Sequence, residues 1–344
     1  MKKIIQYITF CLITFLMSSC DDDKFSPLVE IETPPHKPRL VVRADWSIGS
    51  DSLAVFVSRS RGVLDKDKAN FGETFTYFNG TDTVRSYTEY YDTVPNTKVE
   101  LLRNGQLLGT IPYREKGYHV AKGLYKLDTI PNTVYTIRVS APNFETVEAS
   151  QKVQNRFSVL RGSFQSDAAI YDNRNPFDPP QKGDALSIEL KDDANDENYY
   201  TIDRTNSGFR GGDFSPIITR DTLGKSYTAI GNARFIDPNM DKGFLSDIVF
   251  SGKTYLWRFW LRPELYFSAN SNSFQSRLKS GDKVTLNIRS TSKDFVLFIK
   301  TLDLAQQASD NPFFTEPVIL HSNVKNGYGV FTLGSVQTIQ VVVQ

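Results

Sequence analysis

From residue 39 onward, apolar and polar residues alternate in short runs that are separated by turn-forming residues. In one run, Leu53, Val55 and Val57 occupy alternate positions, which lie on the same face when the chain is a β-strand. Two later runs are joined by Asn104-Gly105, a dipeptide that permits the positive φ angles of a tight hairpin turn. Many short strands of this kind predict a mainly β protein built from sandwich-like parts.

The first of these parts spans residues 39–150. Its segment 135–142, Tyr-Thr-Ile-Arg-Val-Ser-Ala-Pro, resembles the last strands of fibronectin-type or carboxypeptidase-regulatory-type sandwiches. We therefore predict an N-terminal Ig/fibronectin-like β-sandwich. Residues 59–96 are too long for a simple hairpin loop, and their Asn-Gly pair at 79–80 predicts an inserted aromatic hairpin in which Phe75 pairs with Val84. The candidate ligand- or partner-binding residues of this hairpin are Phe75, Tyr77, Phe78 and Tyr87.

A second β-rich, sandwich-like part covers residues 151–344. One stretch in it breaks the β alternation, because apolar residues recur there at helical spacing: Phe295, Phe298, Ile299, Leu302 and Ala305. Ser292 is a suitable N-cap, and Pro312 ends the pattern because proline cannot continue the backbone hydrogen bonding of a helix. We predict one amphipathic helix over about residues 293–308.

The N-terminus has the pattern of a secretory signal peptide over residues 1–19. Two lysines precede an apolar run at 4–17, which is too short to cross a membrane as a helix and ends in Ser-Ser-Cys20. The segment 16–20 resembles a bacterial lipobox, with Met17 where leucine is commoner; an ordinary signal peptide is the alternative. The resemblance implies cleavage before Cys20 and a diacylglycerol thioether on it, which anchors the chain durably.

An acidic run follows the cysteine: Asp21, Asp22 and Asp23. It is either the solvated start of a linker or, as we favour, an export signal, since it resembles the surface-export signal of Bacteroidota lipoproteins. Residues 20–38 thus form a lipid anchor and a Pro-rich acidic tether, which extends by about 3.1 Å per residue. We predict a lipid-anchored protein of the cell outer membrane that faces the cell exterior.

The composition of the chain argues against nucleic-acid binding and against sites that need cysteine. The 40 basic and 39 acidic residues nearly cancel, which argues against nucleic acid as a partner. The only cysteine besides Cys20 is Cys11, in the predicted signal peptide, so the mature chain is expected to have no disulfide and no cysteine metal site.

Residues that catalysis commonly requires are scarce. The chain has three histidines and lacks both Gly-x-Ser-x-Gly and His-Glu-x-x-His. Gly252-Lys253-Thr254 resembles the end of a phosphate-binding loop, but Asp247 stands where its leading glycine is needed. Glycoside hydrolysis needs only two carboxylates at a set separation, which a sequence does not reveal. We predict that the protein is not an enzyme and uses no cofactor.

Two acidic loops contain the oxygen ligands that calcium prefers. In the second, Asp237, Asn239 and Asp241 alternate as at the start of an EF-hand, but Ile248 stands where a bidentate glutamate is needed. Aspartate and asparagine also form turns by bonding to their own backbone. We favour turns, so we predict no metal site and keep these three residues as weak calcium candidates.

The run 254–262 predicts a strand with two different faces. One face is apolar and is assigned to the core: Tyr255, Trp257, Phe259 and Leu261. The other carries Leu256, Arg258, Trp260 and Arg262. A tryptophan between two arginines is suited to stack on sugar rings or to bind acidic groups. The alternative, which we favour, is that Trp260 packs beneath the predicted helix with the arginine stems around it.

Several segments resemble a Bacteroidota outer-membrane lipoprotein family known as domain of unknown function 4249. They are 197–200, 244–255, 311–317 and 322–331, and the last matches the family ending Ser-Asn-(Ile/Val)-x-x-Gly-x-Gly-(Ile/Val)-Phe. The resemblance covers essentially the whole mature chain and implies an outer-membrane lipoprotein, often encoded near TonB-dependent receptors. The family has no agreed activity, so Cys20 is the one functional residue that carries over. Gly327 and Gly329 suit a turn with positive φ or a close backbone approach.

Three functions follow from these observations. The first is a surface-exposed, non-catalytic binding or accessory lipoprotein, working with a TonB-dependent transporter in nutrient uptake and using the hairpin at 73–87 as its partner surface, with a glycan or a peptide as ligand. The second is a glycan-binding or glycan-cleaving surface protein that uses Arg258, Trp260 and Arg262. The third is a structural cell-envelope protein.

Overall fold

The computed structural model describes residues 36–62, 69–78, 84–170, 181–194, 197–202, 217–220, 225–228, 234–235, 240–241, 244–261, 266–268, 273–275, 280–281, 283–310 and 318–344. Within these residues the chain is mainly β, as predicted, with one α-helix. The predicted signal peptide and most of the tether, including Cys20 and Asp21–Asp23, lie outside the described residues.

The strands of the first half are β1 (Leu40–Ile48), β2 (Ser52–Arg59), β3 (Phe71–Phe78), β4 (Val84–Thr93), β5 (Lys98–Arg103), β6 (Gln106–Ile111), β7 (Tyr113–Glu115), β8 (Tyr118–Lys122), β9 (Val134–Ser140) and β10 (Val147–Lys152). Those of the second half are β11 (Ser158–Ile170), β12 (Gln181–Lys191), β13 (Tyr199–Ile202), β14 (Ile217–Arg220), β15 (Lys225–Thr228), β16 (Arg234–Phe235), β17 (Met240–Asp241), β18 (Phe244–Ser246), β19 (Thr254–Leu261), β20 (Tyr266–Ser268), β21 (Ser273–Gln275), β22 (Lys283–Thr291), β23 (Val324–Lys325) and β24 (Tyr328–Val342). A 3-10 turn, Asp247–Val249, precedes β19, and helix α1 (Lys293–Asp310) follows β22.

One large mixed sheet joins the two halves of the chain. Its strand order is β17-β18-β13-β22-β24-β1-β2-β4-β3, with β14 and β15 attached through β22 and with β7 and β8 attached through β2. The first strand, β1, lies parallel to the last strand, β24, and Val42 is the partner of Gly329. The neighbouring pairs, β1–β2 and β22–β24, are antiparallel. Strands from opposite ends of the sequence therefore meet at the centre of this sheet.

Two smaller sheets pack on the large one. The five-stranded sheet, in the order β23-β10-β9-β5-β6, shares a core with β1 and β2 that includes Trp46 and Ile137. The four-stranded sheet, in the order β11-β12-β19-β16, shares a second core with β22 and the end of β24 that includes Trp257, Leu286 and Val341. Trp46 and Trp257 are fully buried, and truncating such a side chain to alanine typically costs about 3–5 kcal/mol. Sandwich-type layers are thus confirmed.

The Asn104-Gly105 hairpin has the predicted two-residue turn. Arg103 is paired with Gln106, and both turn residues have positive φ angles, +47° and +80°. Such angles give the backbone twist that matches two adjacent antiparallel strands.

Helix α1 confirms the predicted helix and extends to Asp310. Ser292 precedes it: its carbonyl accepts from the amide of Val296 at 3.3 Å, and its hydroxyl accepts from the amide of Phe295 at 3.4 Å. The buried side of the helix, Phe295, Val296 and Ile299, packs against Phe244 and Val330 of the large sheet.

Candidate functional site

Within the described residues, strand pairing attaches the aromatic hairpin β3–β4 to the large sheet at its root. Two residue pairs join β4 to β2, Ser58–Thr93 and Arg59–Asp92. On the other side of β2, Arg59 is also the partner of Leu40, the first residue of β1. The hairpin therefore leaves the sheet at the same end at which the chain enters it from residue 38.

Side-chain contacts fix the root of the hairpin. The ring of Phe56 meets Tyr91 edge-on at 4.9 Å, and Phe71 stacks on Tyr91 at 6.2 Å. The guanidinium of Arg43 lies 5.3 Å from the ring centre of Phe56, and the amine of Lys116 lies 5.5 Å from that of Phe71. Alternating aromatic and cationic groups attract one another through the ring quadrupole, so the root is held without help from the outer part of the hairpin.

The described outer part of the hairpin is exposed. Tyr90 has 71% of its surface accessible, and its ring lies across Gly72, only 3.2 Å from where a Cβ atom would stand. Beside this pair the hydroxyls of Thr74 and Thr88 are 2.9 Å apart and form a hydrogen bond. An exposed aromatic ring next to hydroxyls offers a partner both apolar area and hydrogen-bonding groups.

The predicted register of the hairpin is wrong. Phe75 pairs with Tyr87 rather than with Val84, whose partner is Phe78. The cause is the connection, which has five residues, 79–83, where the Asn-Gly pair had suggested a two-residue turn; these five lie outside the described residues. The side chains of Phe75, Tyr77, Phe78 and Tyr87 are also outside the description, so their binding role stays a prediction.

Strand β19 has the two faces that the sequence predicts, as far as it is described. Trp257 is fully buried in the second core, whereas Leu256 is 45% accessible and Arg258 is exposed. The side chain of Trp260 and the whole of Arg262 lie outside the described residues. The described apolar contacts of α1 are with the large sheet, at Phe244 and Val330.

Segments from the family resemblance meet at a buried aspartate that the sequence did not single out for this role. The carboxylate of Asp192 accepts hydrogen bonds from the hydroxyl of Tyr200, from the side-chain amide of Asn198 at 3.2 Å and from the backbone amide of Gly252 at 2.9 Å. A second carboxylate, Asp247, accepts from the backbone amide of Asn198 at 2.7 Å. We name these five residues the aspartate latch, because they fasten the start of β13 to the turn before β19.

Burial dominates the electrostatics of the aspartate latch. It raises the pKa of Asp247 to about 6, and the nearby charge of Asp192 acts in the same direction, while the bond from Asn198 opposes it. Burial, followed by the bond to Asp192, also raises the pKa of the Tyr200 hydroxyl. Two carboxylates in one buried cluster disfavour full ionisation, so the ionisation of Asp247 lowers the stability of the native protein.

A second polar cluster includes residues of the segment 322–331, which matches the family ending. Asp294, in the first turn of α1, bonds to His321 Nε2 at 2.9 Å and accepts from the side-chain amide of Gln151, on β10, at 2.8 Å. Asn323 follows, and its side chain both donates to the carbonyl of Phe331 at 2.8 Å and accepts from the amide of Phe331 at 3.0 Å. Asn323 of the ending therefore ties the start of β23 to β24.

His119 is a core residue. It is buried, its Nε2 lies 2.7 Å from the hydroxyl of Thr97, and its Nδ1 lies 3.2 Å from the carbonyl oxygen of Ile111. Burial lowers its pKa, and the bond to Ile111 only partly offsets this effect. Because a carbonyl oxygen only accepts, Nδ1 donates to Ile111, and the Nε2 of the neutral ring can accept from the hydroxyl of Thr97, so His119 has a structural role.

The weak calcium candidates are not decided by the structure. Asp237 and Asn239 lie outside the described residues, as does the side chain of Asp241. Within the described part of the chain, no three metal-ligating side chains come close enough to hold an ion. No described helix is both long and apolar enough to pass through a membrane.

These features define a mainly β protein in which two small sheets pack on one large mixed sheet and an aromatic hairpin projects from its end. The family model described as Domain of unknown function (DUF4249) matches residues 27–340, so the chain belongs to this family. Neither a curated protein nor a solved structure matches the chain at a significant level.

Proposed function

We propose that this protein is a lipid-anchored outer-membrane protein of Bacteroidota that faces the cell exterior and binds a partner without catalysis. The observation that carries the proposal is the β3–β4 hairpin, which two residue pairs attach to β2 and which exposes Tyr90. An element that projects from a sheet and exposes aromatic side chains contributes little to the stability of the protein. Exposed aromatic surfaces of this kind are typical of interaction sites.

The position of the hairpin favours a partner in the same membrane. Its root at Arg59 lies beside Leu40, close to where the tether joins the folded part. A lipid on Cys20 would hold this end of the protein towards the bilayer. The partner we propose is a TonB-dependent receptor, as the family resemblance implies, with nutrient uptake as the shared task.

Replacing Cys20 by alanine is expected to abolish lipid attachment and to move the protein out of the membrane fraction. Two or more acyl chains make anchoring effectively permanent, whereas the unlipidated chain has no equivalent hold. Intact-mass spectrometry and membrane fractionation measure both effects. The control is Cys11→Ala, which removes the other cysteine and should leave lipidation unchanged. An unmodified Cys20 thiol in the membrane-bound parent would contradict the anchor.

Replacing residues 72–90 by Asn-Gly is expected to abolish co-purification of the partner while the rest stays folded. Phe71 and Tyr91, which form the root, remain in place. The measurement is a pull-down from detergent-solubilised outer membranes, quantified by mass spectrometry. Tyr90→Ala should weaken capture several-fold, whereas Tyr113→Ala, which removes another exposed tyrosine, should not. Undiminished capture by the shortened protein would refute the hairpin as the partner surface.

A further inference from the structure

The solvent face of the four-stranded sheet has small side chains along part of its second strand. Strand β12 forms its floor with the small residues Ala185 and Ser187. The register places Ser163 of β11 on one side of Ser187 and Arg258 of β19 on the other, and it places Gln165 and Trp260 on either side of Ala185. Directly opposed residues of antiparallel strands lie on the same face, so these positions border one shallow trough.

This face points away from the core. Leu186 and Ile188, which alternate with the floor residues, are fully buried in the second core, as is Trp257. By contrast Ser163, Gln165 and Arg258 are exposed. The trough is therefore open to solvent along the described parts of β11, β12 and β19.

Among the described side chains of the trough, one positive charge, that of Arg258, is left without an opposite charge. Arg161, on the same face, forms an ion pair with Glu189. Arg258 has no acidic partner within the described part of the chain. An exposed arginine thus lies beside a floor of small and hydroxyl-bearing residues.

We infer that this trough binds an acidic polysaccharide, namely a chain of uronic acid sugars. A guanidinium forms paired, charge-assisted hydrogen bonds with a carboxylate. The hydroxyls of Ser163 and Ser187 and the amide of Gln165 are suited to sugar hydroxyls, and the small floor leaves room for a ring. The inference is independent of the hairpin and of the lipid anchor, so either proposal can fail without the other.

The probe is polygalacturonate, compared with the same polymer after full methyl esterification, which keeps the sugar backbone and removes its charge. Binding to the full chain, purified in detergent, is measured by isothermal titration calorimetry and by affinity electrophoresis. We expect the acidic polymer to bind at least about tenfold more tightly than its ester and to be weakened by salt. Equal affinity for the two polymers, or no binding of either, would overturn the inference.

Single substitutions test whether the trough is the binding site. Arg258→Ala is expected to weaken binding about tenfold or more, and Arg258→Lys by less, because the lysine keeps the charge but loses the paired geometry. Ser187→Tyr fills the floor and should weaken binding without any change in charge. The matched control is Arg114→Ala, an exposed arginine on β7. Thermal unfolding identifies any variant that does not fold, in which case Arg258→Lys decides. An equal loss in Arg114→Ala, or full binding by Arg258→Ala, would show that the trough is not the site.

Discussion

Gly329→Ala is expected to destabilise the protein by about 4 kcal/mol or more, a large part of the stability of a typical domain. Gly329 has a φ of +112°, which L-residues rarely adopt. A Cβ atom there would overlap the carbonyl oxygen of Val42 and would stand 2.8 Å from its carbonyl carbon. The clashing atoms of Val42 belong to the backbone of β1, at the centre of the large sheet. The clash can therefore be relieved only by separating β1 from β24. Chemical denaturation of the purified protein measures the loss, and low yield of folded protein is part of the same expectation.

Two control glycines separate the causes of this loss. Gly105 also has a positive φ, +80°, but nothing lies within 4 Å of its Cβ position, so Gly105→Ala tests backbone strain alone, at about 1–2 kcal/mol. Gly327 tests close approach, because a Cβ atom there would stand 2.6 Å from the carbonyl oxygen of Leu40. If Gly329→Ala were no more destabilising than Gly105→Ala, the contact with Val42 would be irrelevant.

Asp247→Asn is expected to change how stability depends on pH. Burial raises the pKa of Asp247 from 3.8 to about 6. Between about pH 4 and pH 6 the unfolded chain has lost a proton that the native protein keeps, so this residue makes the free energy of unfolding fall as the pH rises. Its contribution is complete below about pH 4 and is lost above about pH 6. The size of this contribution is about 1–3 kcal/mol.

The asparagine does not titrate, and its side-chain oxygen can still accept from the amide of Asn198. Relative to the parent, Asp247→Asn should therefore gain about 1–3 kcal/mol between pH 4 and pH 7, as measured by denaturant unfolding at each pH. Asp51→Asn makes the same charge change at an exposed position and should follow the parent. A difference between Asp247→Asn and the parent that stays constant with pH would mean that Asp247 is already ionised in the native protein at pH 4.

Short-range patterns predicted the secondary structure well. Alternation placed Trp257 on the core face and Arg258 on the opposite face, because side chains of a strand alternate whatever the sheet around it. The Asn104-Gly105 turn was right because its φ angles are a local property of those two residues. The same rule failed at Asn79-Gly80, where the strands set the register and leave a longer connection.

The candidate sites were harder to predict from the sequence than the secondary structure. The carboxylate of Asp192 accepts from the side chain of Tyr200, across a loop, and from the backbone amide of Gly252, far along the chain, and no spacing rule marks either contact. The family resemblance was the one available signal, since it contained Asn198, Tyr200, Asp247 and Gly252. Likewise the small floor beside Arg258 became visible only through the pairing of β12 with β19.

By itself the sequence determined that the chain forms β-strands, where its helix begins and that its glycine-rich ending suits a turn with positive φ or a close backbone approach, because each follows from local geometry. Only the tertiary structure decided that β24 lies beside β1, so that Gly329 faces Val42. It alone also decided that Asp192 and Asp247 are buried together, and how far the aromatic hairpin is separated from the sheet. These features depend on contacts between segments far apart in the chain, and the free energy of burial that selects them is a property of the packed whole.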